Sequence, residues 1–505
     1  MRYSLFLLPL IAMVAAQARA ADDCDMIEKT LPSVVTVAVY NADTNAKPYG
    51  FGADDAYARV LDLSGTAGTG SGFVIEYEGK KYVVTCNHVV QTAMEDPESL
   101  VVYSINQTRY PMKIVGADTF WDIAVLAFTG DPGSEVTSIP VADAETRVGQ
   151  RVYAFGTPLG MYPLSVSDGI IGGKNRVLDG ITGRFGYLQS TATIIWGNSG
   201  GPLTNDKGEV VGMNSQIMFA NGAGGQSVLQ PQINFALDSH IIARAIVDFI
   251  EHGRIVRSYF GMEISEMHTL VNGPNNEVVI GAGNAPIIQS IRPDSPASVA
   301  LAGREGWRIE KVNTVATRNL EEVLGALEYI APGDEVTLEL SKDGQVENAV
   351  FKSVALELST LETIAKQFLH ANRVEIDTID GALKIWDTPE AQQEQRMAAF
   401  DFQKLKKGLK KLREDDQPTQ PMRPVQPQAP AEPVKVPLIA AGLANDQGEG
   451  TWWKISSLAD LGVVCRIASL EGRVDMAIQR NDGSVGVARM NLTTQEGLMN
   501  KVLIY

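Results

Sequence analysis

The heptapeptide Gly197-Asn198-Ser199-Gly200-Gly201-Pro202-Leu203 places one serine between glycines, near the end of a long succession of β-rich segments. Glycine has no side chain, so the backbone around Ser199 can approach another chain closely. The same freedom lets the N–H groups of Gly197 and Ser199 point at one spot, where they could stabilise a developing negative charge. The stretch therefore predicts a reactive serine.

The segments on either side of this stretch are short, rich in β-forming residues and separated by Gly, Pro and Asp turns. They include Val34-Tyr40, Gly72-Tyr77, Tyr82-Thr85, Ile123-Phe128 and Glu209-Asn214. Such a succession predicts an all-β, barrel-like domain. A helix follows at Ser239–His252, because apolar residues form one stripe there and Gly253 provides a C-terminal stop.

A serine hydroxyl is a weak nucleophile at neutral pH and needs a base, an acid that orients the base, and donors for the oxyanion. His88 follows an apolar strand directly and is the one histidine in the predicted barrel region. Asp122 opens the apolar strand Ile123-Ala124-Val125-Leu126. Taken alone, Asp122 is more typical of a solvated strand end. The order His, Asp, Ser, at spacings suited to two successive barrels, predicts a catalytic triad.

These residues resemble the HtrA/Deg branch of trypsin-like serine proteases, over most of residues 26 to 355. The resemblance is carried by Ile27-Glu28-Lys29-Thr30-Leu31-Pro32-Ser33-Val34-Val35, Gly70-Ser71-Gly72-Phe73, Thr85-Cys86-Asn87-His88-Val89-Val90, Val115-Gly116-Ala117-Asp118, Asp122-Ile123-Ala124-Val125-Leu126 and Gly156-Thr157-Pro158-Leu159-Gly160. It implies a mainly β fold: a trypsin-like double β-barrel followed by a PDZ-like α+β domain. It also implies a homotrimer or a multiple of trimers, and degradation of misfolded exported proteins.

Position by position, the resemblance makes His88 the general base, Asp122 its orienting acid and Ser199 the nucleophile. The backbone N–H groups of Gly197 and Ser199 become the oxyanion hole.

The resemblance also places a substrate pocket between Ile194, Ile217 and Met218. Thr193 stands where tryptic enzymes carry a specificity carboxylate, so small or medium aliphatic side chains are expected rather than Lys or Arg. Alternatively, Ile217 and Met218 belong to the strand core.

Three positions depart from the family pattern. Trp196 stands in place of a proline, Thr191 in place of an aspartate, and Cys86 in place of an asparagine. The first two lie on the strand and loop that set the oxyanion hole, so the resting geometry of that hole is the open question.

The second domain begins with Tyr259-Phe260-Gly261-Met262, which resembles a PDZ carboxylate-binding loop, where backbone N–H groups capture a peptide C-terminus and the peptide adds as a strand. The alternative is a β-rich appendage that binds no peptide.

The expected organisation has seven parts. They are a signal peptide (1–20), the protease domain (26–240), a connector helix (241–258), the PDZ domain (259–356), a helical region (357–415), a Pro/Gln-rich linker (416–437) and a small C-terminal β-leaning domain (438–505). The stretch Val474–Val485 faintly echoes Val336–Val346, so this last domain could be a divergent PDZ repeat.

The leader has Arg2, an apolar run and an Ala18-Arg19-Ala20 cleavage site. A cleavable leader and the family indicate the periplasm, with secretion as an alternative. Its removal would take the net charge from −17 to −19, which argues against nucleic acid as a partner. Cys24, Cys86 and Cys465 allow at most one internal disulfide. No integral membrane span, metal or organic cofactor is expected.

The leading hypothesis is an ATP-independent serine endopeptidase that cleaves unfolded exported proteins and recognises peptides through its PDZ domain. One alternative is a peptide-binding holdase or scaffold with little turnover, in which the loop bearing Trp196 is collapsed. The other is a narrow regulatory protease with the same chemistry. The physiological substrates do not follow from the sequence.

Overall fold

The structure is a computed structural model that describes residues 23–40, 66–94, 97–160, 162–178, 185–221, 227–267, 270–272, 278–280, 285–371, 376–379, 382–387, 434–444, 450–455, 457–468, 473–479, 485–491 and 502–504. The chain divides into two compact units, Met1–Ile255 and Val256–Tyr505. The predicted signal peptide, residues 388–415 of the predicted helical region and most of the predicted linker lie outside the described residues.

The first unit contains two closed six-stranded barrels, which confirm the predicted double β-barrel. The first barrel consists of β1 (Val34–Tyr40), β2 (Thr66–Tyr77), β3 (Lys80–Thr85), β4 (Leu100–Tyr103), β5 (Arg109–Asp118) and β6 (Ile123–Phe128). The second consists of β7 (Arg151–Gly156), β8 (Ser165–Arg176), β9 (Tyr187–Ser190), β10 (Pro202–Thr204), β11 (Val210–Asn221) and β12 (Ser227–Asp238). All barrel pairings are antiparallel.

Three helices accompany the barrels: α1 (residues 23–30), α2 (Asn87–Val90) and α3 (Ser239–His252). The sequence-based prediction of α3 is confirmed at both ends. Asp238 caps its first turn by accepting from the His240 N–H, and Gly253 ends it in a left-handed conformation at φ 69°. Phe249 of α3 is buried against Gly116 of β5, where a Cβ would lie 2.1 Å from its ring. The helix treated as a connector thus belongs to the first unit.

The second unit contains two larger antiparallel sheets, here called sheet A and sheet B. Sheet A consists of β14 (Met262–Met267), β17 (Ala285–Ile291), β18 (Arg308–Val312), β19 (Val315–Ala316), β20 (Glu335–Lys342), β21 (Gln345–Lys352) and β29 (Val502–Ile504). Sheet B consists of β23 (Ile376–Ile379), β24 (Ala382–Asp387), β25 (Val434–Ala444), β26 (Gly450–Lys454), β27 (Arg473–Gln479) and β28 (Val485–Asn491). Two small pairings complete the unit: β13 (Ser258–Tyr259) with β22 (Val354–Ala355), and β15 (Leu270–Asn272) with β16 (Val278–Ile280).

The second unit also contains α4 (Leu320–Glu328), α5 (Leu358–Ala371) and α6 (Leu458–Ala468). Asn319 caps α4 by accepting from the Glu322 N–H. Buried residues of α5, α6 and sheet B, among them Phe368, Leu461 and Met476, form one hydrophobic cluster.

Sheets A and B share one strand order. In sheet A the order is β14-β17-β18-β20-β21 with β19 paired to β18; in sheet B it is β23-β24-β25-β27-β28 with β26 paired to β25. In each sheet one helix, α4 or α6, follows the short paired strand. The shared order supports the divergent repeat suggested by the sequence echo, which remains a proposal.

Two segments differ from the expected organisation. Within 357–415, expected to be helical, α5 is followed by strands β23 and β24, and the β-branched residues Ile376, Thr378 and Ile379 of β23 favour extended backbone. Val434–Pro437, assigned to the linker, forms the start of β25 and pairs with β24. Across the described segments, no helix combines the length and apolar character that a membrane crossing needs.

Candidate active site

The predicted base and acid both come from the first barrel. His88 lies in α2, directly after β3, and Asp122 directly precedes β6. Strands β3 and β6 are antiparallel neighbours, with Thr85 opposite Ala124. The end of β3 and the start of β6 therefore lie at the same end of the barrel, and His88 and Asp122 meet there. His88 Nδ1 and Asp122 Oδ2 are 2.7 Å apart, and the His88 backbone N–H donates to Asp122 Oδ1 at 2.9 Å.

Asp122 is buried, with 5% of its surface exposed. The alternative considered from the sequence, a charged residue at the solvent-exposed end of a strand, is therefore wrong. Its φ of 55° lies in the left-handed region, which aspartate tolerates better than most residues. This turn aims the carboxylate inward. The carboxylate also accepts a hydrogen bond from the Ser215 hydroxyl at 3.0 Å.

Ser215 is a site residue that the sequence reasoning missed. It lies in β11 of the second barrel, at a register shift between Asn214 and Gln216. Its hydroxyl contacts Asp122, and its backbone carbonyl accepts a hydrogen bond from Ser199 Oγ at 3.3 Å. Ser215 therefore contacts both the predicted acid and the predicted nucleophile, one from each barrel.

The Ser199 hydroxyl is directed to this carbonyl in the resting structure. Within the described residues, no hydrogen bond joins Ser199 Oγ to His88. The Ser199 carbonyl accepts from the Ser71 N–H of β2 at 2.8 Å, which anchors the loop to the first barrel.

The glycines of the heptapeptide are required by close packing. Gly197 has φ 94°, and a Cβ there would lie 2.2 Å from the Thr157 carbonyl oxygen. Gly200 has φ 88°, and its Cβ would lie 2.2 Å from the Ser71 carbonyl oxygen. Both positions favour glycine on backbone and steric grounds.

Two hydrogen bonds fix the peptide groups that carry the predicted oxyanion donors. The Trp196 carbonyl accepts from the Leu159 N–H at 2.6 Å, and the Asn198 carbonyl accepts from the Gly201 N–H at 2.9 Å. In a trans peptide the N–H points opposite to the carbonyl, and the described residues contain no cis peptide bond. The Gly197 and Ser199 N–H groups are therefore turned away from these anchors and remain available to a ligand.

Thr191, the second departure from the family pattern, holds this region to β8. Its hydroxyl accepts from the Ile170 N–H at 2.9 Å, and its own N–H donates to the Ile170 carbonyl at 3.0 Å. A threonine at this position therefore supplies a local anchor without a charge.

The imidazole and the neighbouring thiol have shifted pKa values. Burial lowers the pKa of His88, but the charge and hydrogen bond of Asp122 outweigh burial and raise it above its usual value. Burial, followed by the charge of Asp122, raises the pKa of the Cys86 thiol well above its usual value. The Cys86 thiol donates to the Asn214 carbonyl at 3.4 Å. Cys86 is therefore an uncharged part of the packing under His88.

Cys86, His88 and Asp122 are the group of side chains among the described residues that could hold a metal ion. One possible ligand atom from each lies within 4.8 Å of the others. In the structure the Cys86 thiol donates to the Asn214 carbonyl, and His88 Nδ1 is bonded to Asp122 Oδ2.

The predicted pocket residues differ in their surroundings. Ile194 is buried in the core of the second barrel, and Ile217 packs against the same cluster. Met218 is 37% exposed. Beside it, Phe219 lies against Trp196, with ring centroids 5.8 Å apart, and Trp196 is 61% exposed. The exposed apolar surface next to Ser199 thus comes from Trp196, Met218 and Phe219.

The predicted peptide loop, Tyr259 to Met262, precedes and begins β14. Phe260 and Met262 are fully buried, whereas Gly261 has φ 82°. The Phe260 carbonyl accepts from the Ala297 N–H at 3.1 Å and the Gly261 carbonyl accepts from the Arg292 N–H at 2.9 Å. The N–H groups of Gly261 and Met262 are consequently directed away from the segment 292–297.

Comparison with known proteins fits this geometry. Residues 70–213 match the family described as "Trypsin-like peptidase domain", so the first unit carries a domain of the serine-type endopeptidase class. The chain is homologous to HtrA-type serine proteases. It is 29% identical over 296 residues to the serine protease Do-like HtrA of Bacillus subtilis, covering 57% of this chain and 62% of that protein.

It is also 29% identical over 382 residues to the periplasmic pH-dependent serine endoprotease DegQ of Escherichia coli, covering 74% of this chain and 78% of DegQ. Among solved structures, the serine endoprotease from Yersinia pestis aligns with a TM-score of 0.40 and 23% identity, over 66% of this chain and 98% of that one.

Proposed function

We propose that this chain is an ATP-independent endopeptidase that cleaves unfolded or misfolded exported proteins through an acyl-enzyme on Ser199. The observation that carries the proposal is the contact between His88 Nδ1 and Asp122 Oδ2 at 2.7 Å. It is supported by the Gly197 and Ser199 N–H groups, which point away from the anchored Trp196 and Asn198 carbonyls. That contact holds the neutral imidazole with its proton on Nδ1, which leaves the Nε2 lone pair to act as a base.

The mechanism begins when Ser199 Oγ leaves the Ser215 carbonyl and donates to His88 Nε2. As Oγ attacks the scissile carbonyl carbon, Nε2 takes the hydroxyl proton, and Asp122 stabilises the imidazolium that forms. The carbonyl oxygen becomes an oxyanion and accepts from the Gly197 and Ser199 N–H groups. The Trp196 and Asn198 carbonyls are already held by other donors, so these N–H groups need not reorganise.

Collapse of the tetrahedral intermediate breaks the C–N bond, and the imidazolium proton passes to the leaving amine. The product is an ester between Ser199 and the acyl half of the substrate. Water then attacks this ester, with His88 again taking a proton, and its return to Ser199 releases the carboxylic acid. Neither step requires a nucleotide, metal or organic cofactor.

The proposed substrate preference is for small or medium aliphatic side chains. Support comes from Ile194 and Ile217, which are apolar and pack together in the second barrel, and from Thr193, which carries no carboxylate to bind Lys or Arg. Ile217 also packs against the core of the second barrel, and this contact supports the alternative in which Ile217 belongs to the strand core. The exposed Trp196 and Phe219 add apolar surface for an unfolded polypeptide.

The second unit is proposed to assist by binding peptides at the loop 259–262, in the manner of a PDZ domain. The anchored carbonyls of Phe260 and Gly261 support this role, because they turn successive N–H groups to one side. We further propose a periplasmic location, supported by the predicted leader and by the periplasmic name of DegQ, and a homotrimer or multiple of trimers, supported by the family resemblance.

The test is hydrolysis of reduced, unfolded casein by the mature chain, with Ser199→Ala as the matched control. Labelling by a fluorophosphonate, which reacts with activated serines, reports the nucleophile independently. Cleavage and labelling that both depend on Ser199 support the proposal. Peptide binding without labelling would instead favour the holdase, and cleavage of one folded protein but not of casein would favour the narrow regulatory protease.

A further inference from the structure

Strand β14 of sheet A is paired on both sides. On one side lies β17, and on the other lies β29, a three-residue strand from the far end of the chain. The pairing with β29 is antiparallel, with Glu263 opposite Ile504 and Ser265 opposite Val502. Without β29, β14 would be the free edge of sheet A.

This edge is the one on which a peptide ligand of the loop 259–262 would add. Recognition by strand addition uses the unpaired backbone groups of an edge strand and places the ligand antiparallel or parallel to it. β14 begins at Met262, so it continues directly from the loop. β29 is antiparallel to β14, so it runs from Val502 opposite Ser265 to Ile504 opposite Glu263, toward the loop, the same direction that a peptide reaching the loop must take.

The composition of the segment suits strand addition. Val502, Leu503 and Ile504 are consecutive apolar residues, two of them β-branched, and β-branched residues favour extended backbone. They form a short strand, and a strand of this length contributes few backbone hydrogen bonds, so its hold on β14 is weak enough to be exchanged.

We propose that Val502–Ile504 is an internal ligand of the β14 edge, which occupies the position of a peptide substrate and must leave before one binds. This proposal rests on the proposed peptide recognition by the second unit. Since the segment is tethered, its effective concentration at β14 is high regardless of dilution. External peptides therefore compete with a segment of the same chain.

The experiment compares the full chain with a double variant, Leu503→Pro and Ile504→Pro. Successive N–H groups of a strand point to opposite sides, so one of the two prolines removes a donor facing β14. The control is Leu503→Val with Ile504→Val, which keeps two donors and β-forming side chains. The probe is a fluorescein-labelled synthetic peptide of residues 498–505, measured by fluorescence anisotropy.

The expected result is that the double-proline variant binds the probe about tenfold more tightly than the parent. A tenfold difference corresponds to a parent in which β29 leaves the β14 edge free in about a tenth of the molecules, because the apparent affinity falls with the free fraction. The valine control should match the parent. Hydrogen exchange of residues 262–267 provides a second readout, and the β14 amides that face β29 should lose protection in the proline variant when no probe is present, while those that face β17 keep it. Equal probe affinity in all three chains, or unchanged exchange, overturns the proposal.

Casein cleavage by the same three chains separates this proposal from the proposed function. If casein is cleaved but no chain binds the probe, the internal ligand is refuted while the peptidase stands. If the proline variant binds the probe more tightly but no chain cleaves casein, the internal ligand stands and the peptidase is refuted.

Discussion

The Leu159 N–H donates to the Trp196 carbonyl at 2.6 Å, and this bond orients the peptide group that carries the Gly197 N–H. Leu159 itself has φ 57°, a backbone conformation that few side chains adopt without strain. The orientation of the Gly197 N–H thus depends on the backbone of Leu159, an exposed residue outside the heptapeptide. Trp196, which replaces the proline of the family pattern, orients the Gly197 N–H through its carbonyl group, while its side chain is largely exposed and lies against Phe219.

We expect Leu159→Val to reduce catalysis with little loss of folding. A β-branched residue disfavours positive φ, so the Leu159 N–H should move away from the Trp196 carbonyl. Loss of one oxyanion donor costs about 10²–10³ in kcat, and partial misalignment should cost about tenfold or more. Leu159→Asn is the control because asparagine tolerates positive φ. Equal kcat/KM for the two variants on a chromogenic peptide would contradict the role of this bond.

The Trp196 side chain should affect substrate binding but not the reactivity of Ser199. We expect Trp196→Ala to keep fluorophosphonate labelling within about threefold of the parent, since no oxyanion donor is lost, and to lower kcat/KM on unfolded casein through lost apolar contact. Trp196→Phe retains an aromatic ring beside Phe219 and should restore most of the casein activity. A parallel loss of labelling and casein cleavage would show that the side chain supports the oxyanion loop.

The midpoint at which activity falls toward acidic pH should lie above the usual pKa of histidine. His88 must be neutral to act as a base, and Asp122 raises its pKa, so activity is expected to rise as pH increases through this raised value. The protonated pair also stabilises the fold below about pH 6.5, and this contribution is lost as pH rises through the raised pKa.

Replacement of Asp122 by Asn should lower the pKa of His88 and reduce kcat by about 10⁴. Imidazole NMR resonances measure the titration directly. The control is Asp238→Asn, because the hydrogen bond of Asp238 raises the pKa of His240 in α3. That variant should shift the titration of His240 and leave His88 unchanged. A His88 titration that is insensitive to Asp122→Asn would contradict the assignment.

All three cysteines are free thiols in the structure, and only Cys24 is exposed. Burial raises the pKa of both the Cys86 and Cys465 thiols, so neither should react with a thiol reagent while the chain is folded. Titration should find one reactive thiol in the native protein and three in denaturant without reductant. Fewer than three in denaturant would reveal a disulfide.

Gly261→Ala should destabilise the second unit more than Gly303→Ala. Both glycines have positive φ, at 82° and 72°, so each alanine carries backbone strain of about 1–2 kcal/mol. At Gly261 the new Cβ would also lie 2.0 Å from the Ser295 Cβ, whereas Gly303 has open space. Thermal unfolding of both variants measures the difference, and equal melting temperatures would show that the loop yields to the clash.

The sequence predicted the strands that carry the site because their information is local. Val34–Tyr40 and Ile123–Phe128 alternate or concentrate apolar residues between turn signals, and both appear as strands with those bounds. His88 and Asp122 were predicted because each adjoins such a strand. The motif around Ser199 was recognisable because only glycine satisfies its φ values and close contacts.

Other features depend on contacts between distant residues and left no local signal. Ser215 was missed because its partner Asp122 lies 93 positions away and its role depends on a register shift in β11. The placement of α5 and α6 in one cluster likewise depends on tertiary packing between segments that are distant in the sequence. Asp122 is the intermediate case: its local context favoured solvent, and only its combination with His88 and Ser199 indicated burial.

The separation of β29 from β14 has a consequence for biosynthesis. Roughly 240 residues separate the two strands, so β14 is synthesised long before β29. During that interval the edge of sheet A has no intramolecular occupant, and polypeptides emerging alongside can reach it. With Val502–Ile504 as the proposed internal ligand, newly made molecules pass through a brief receptive period, which mature molecules regain only when β29 detaches.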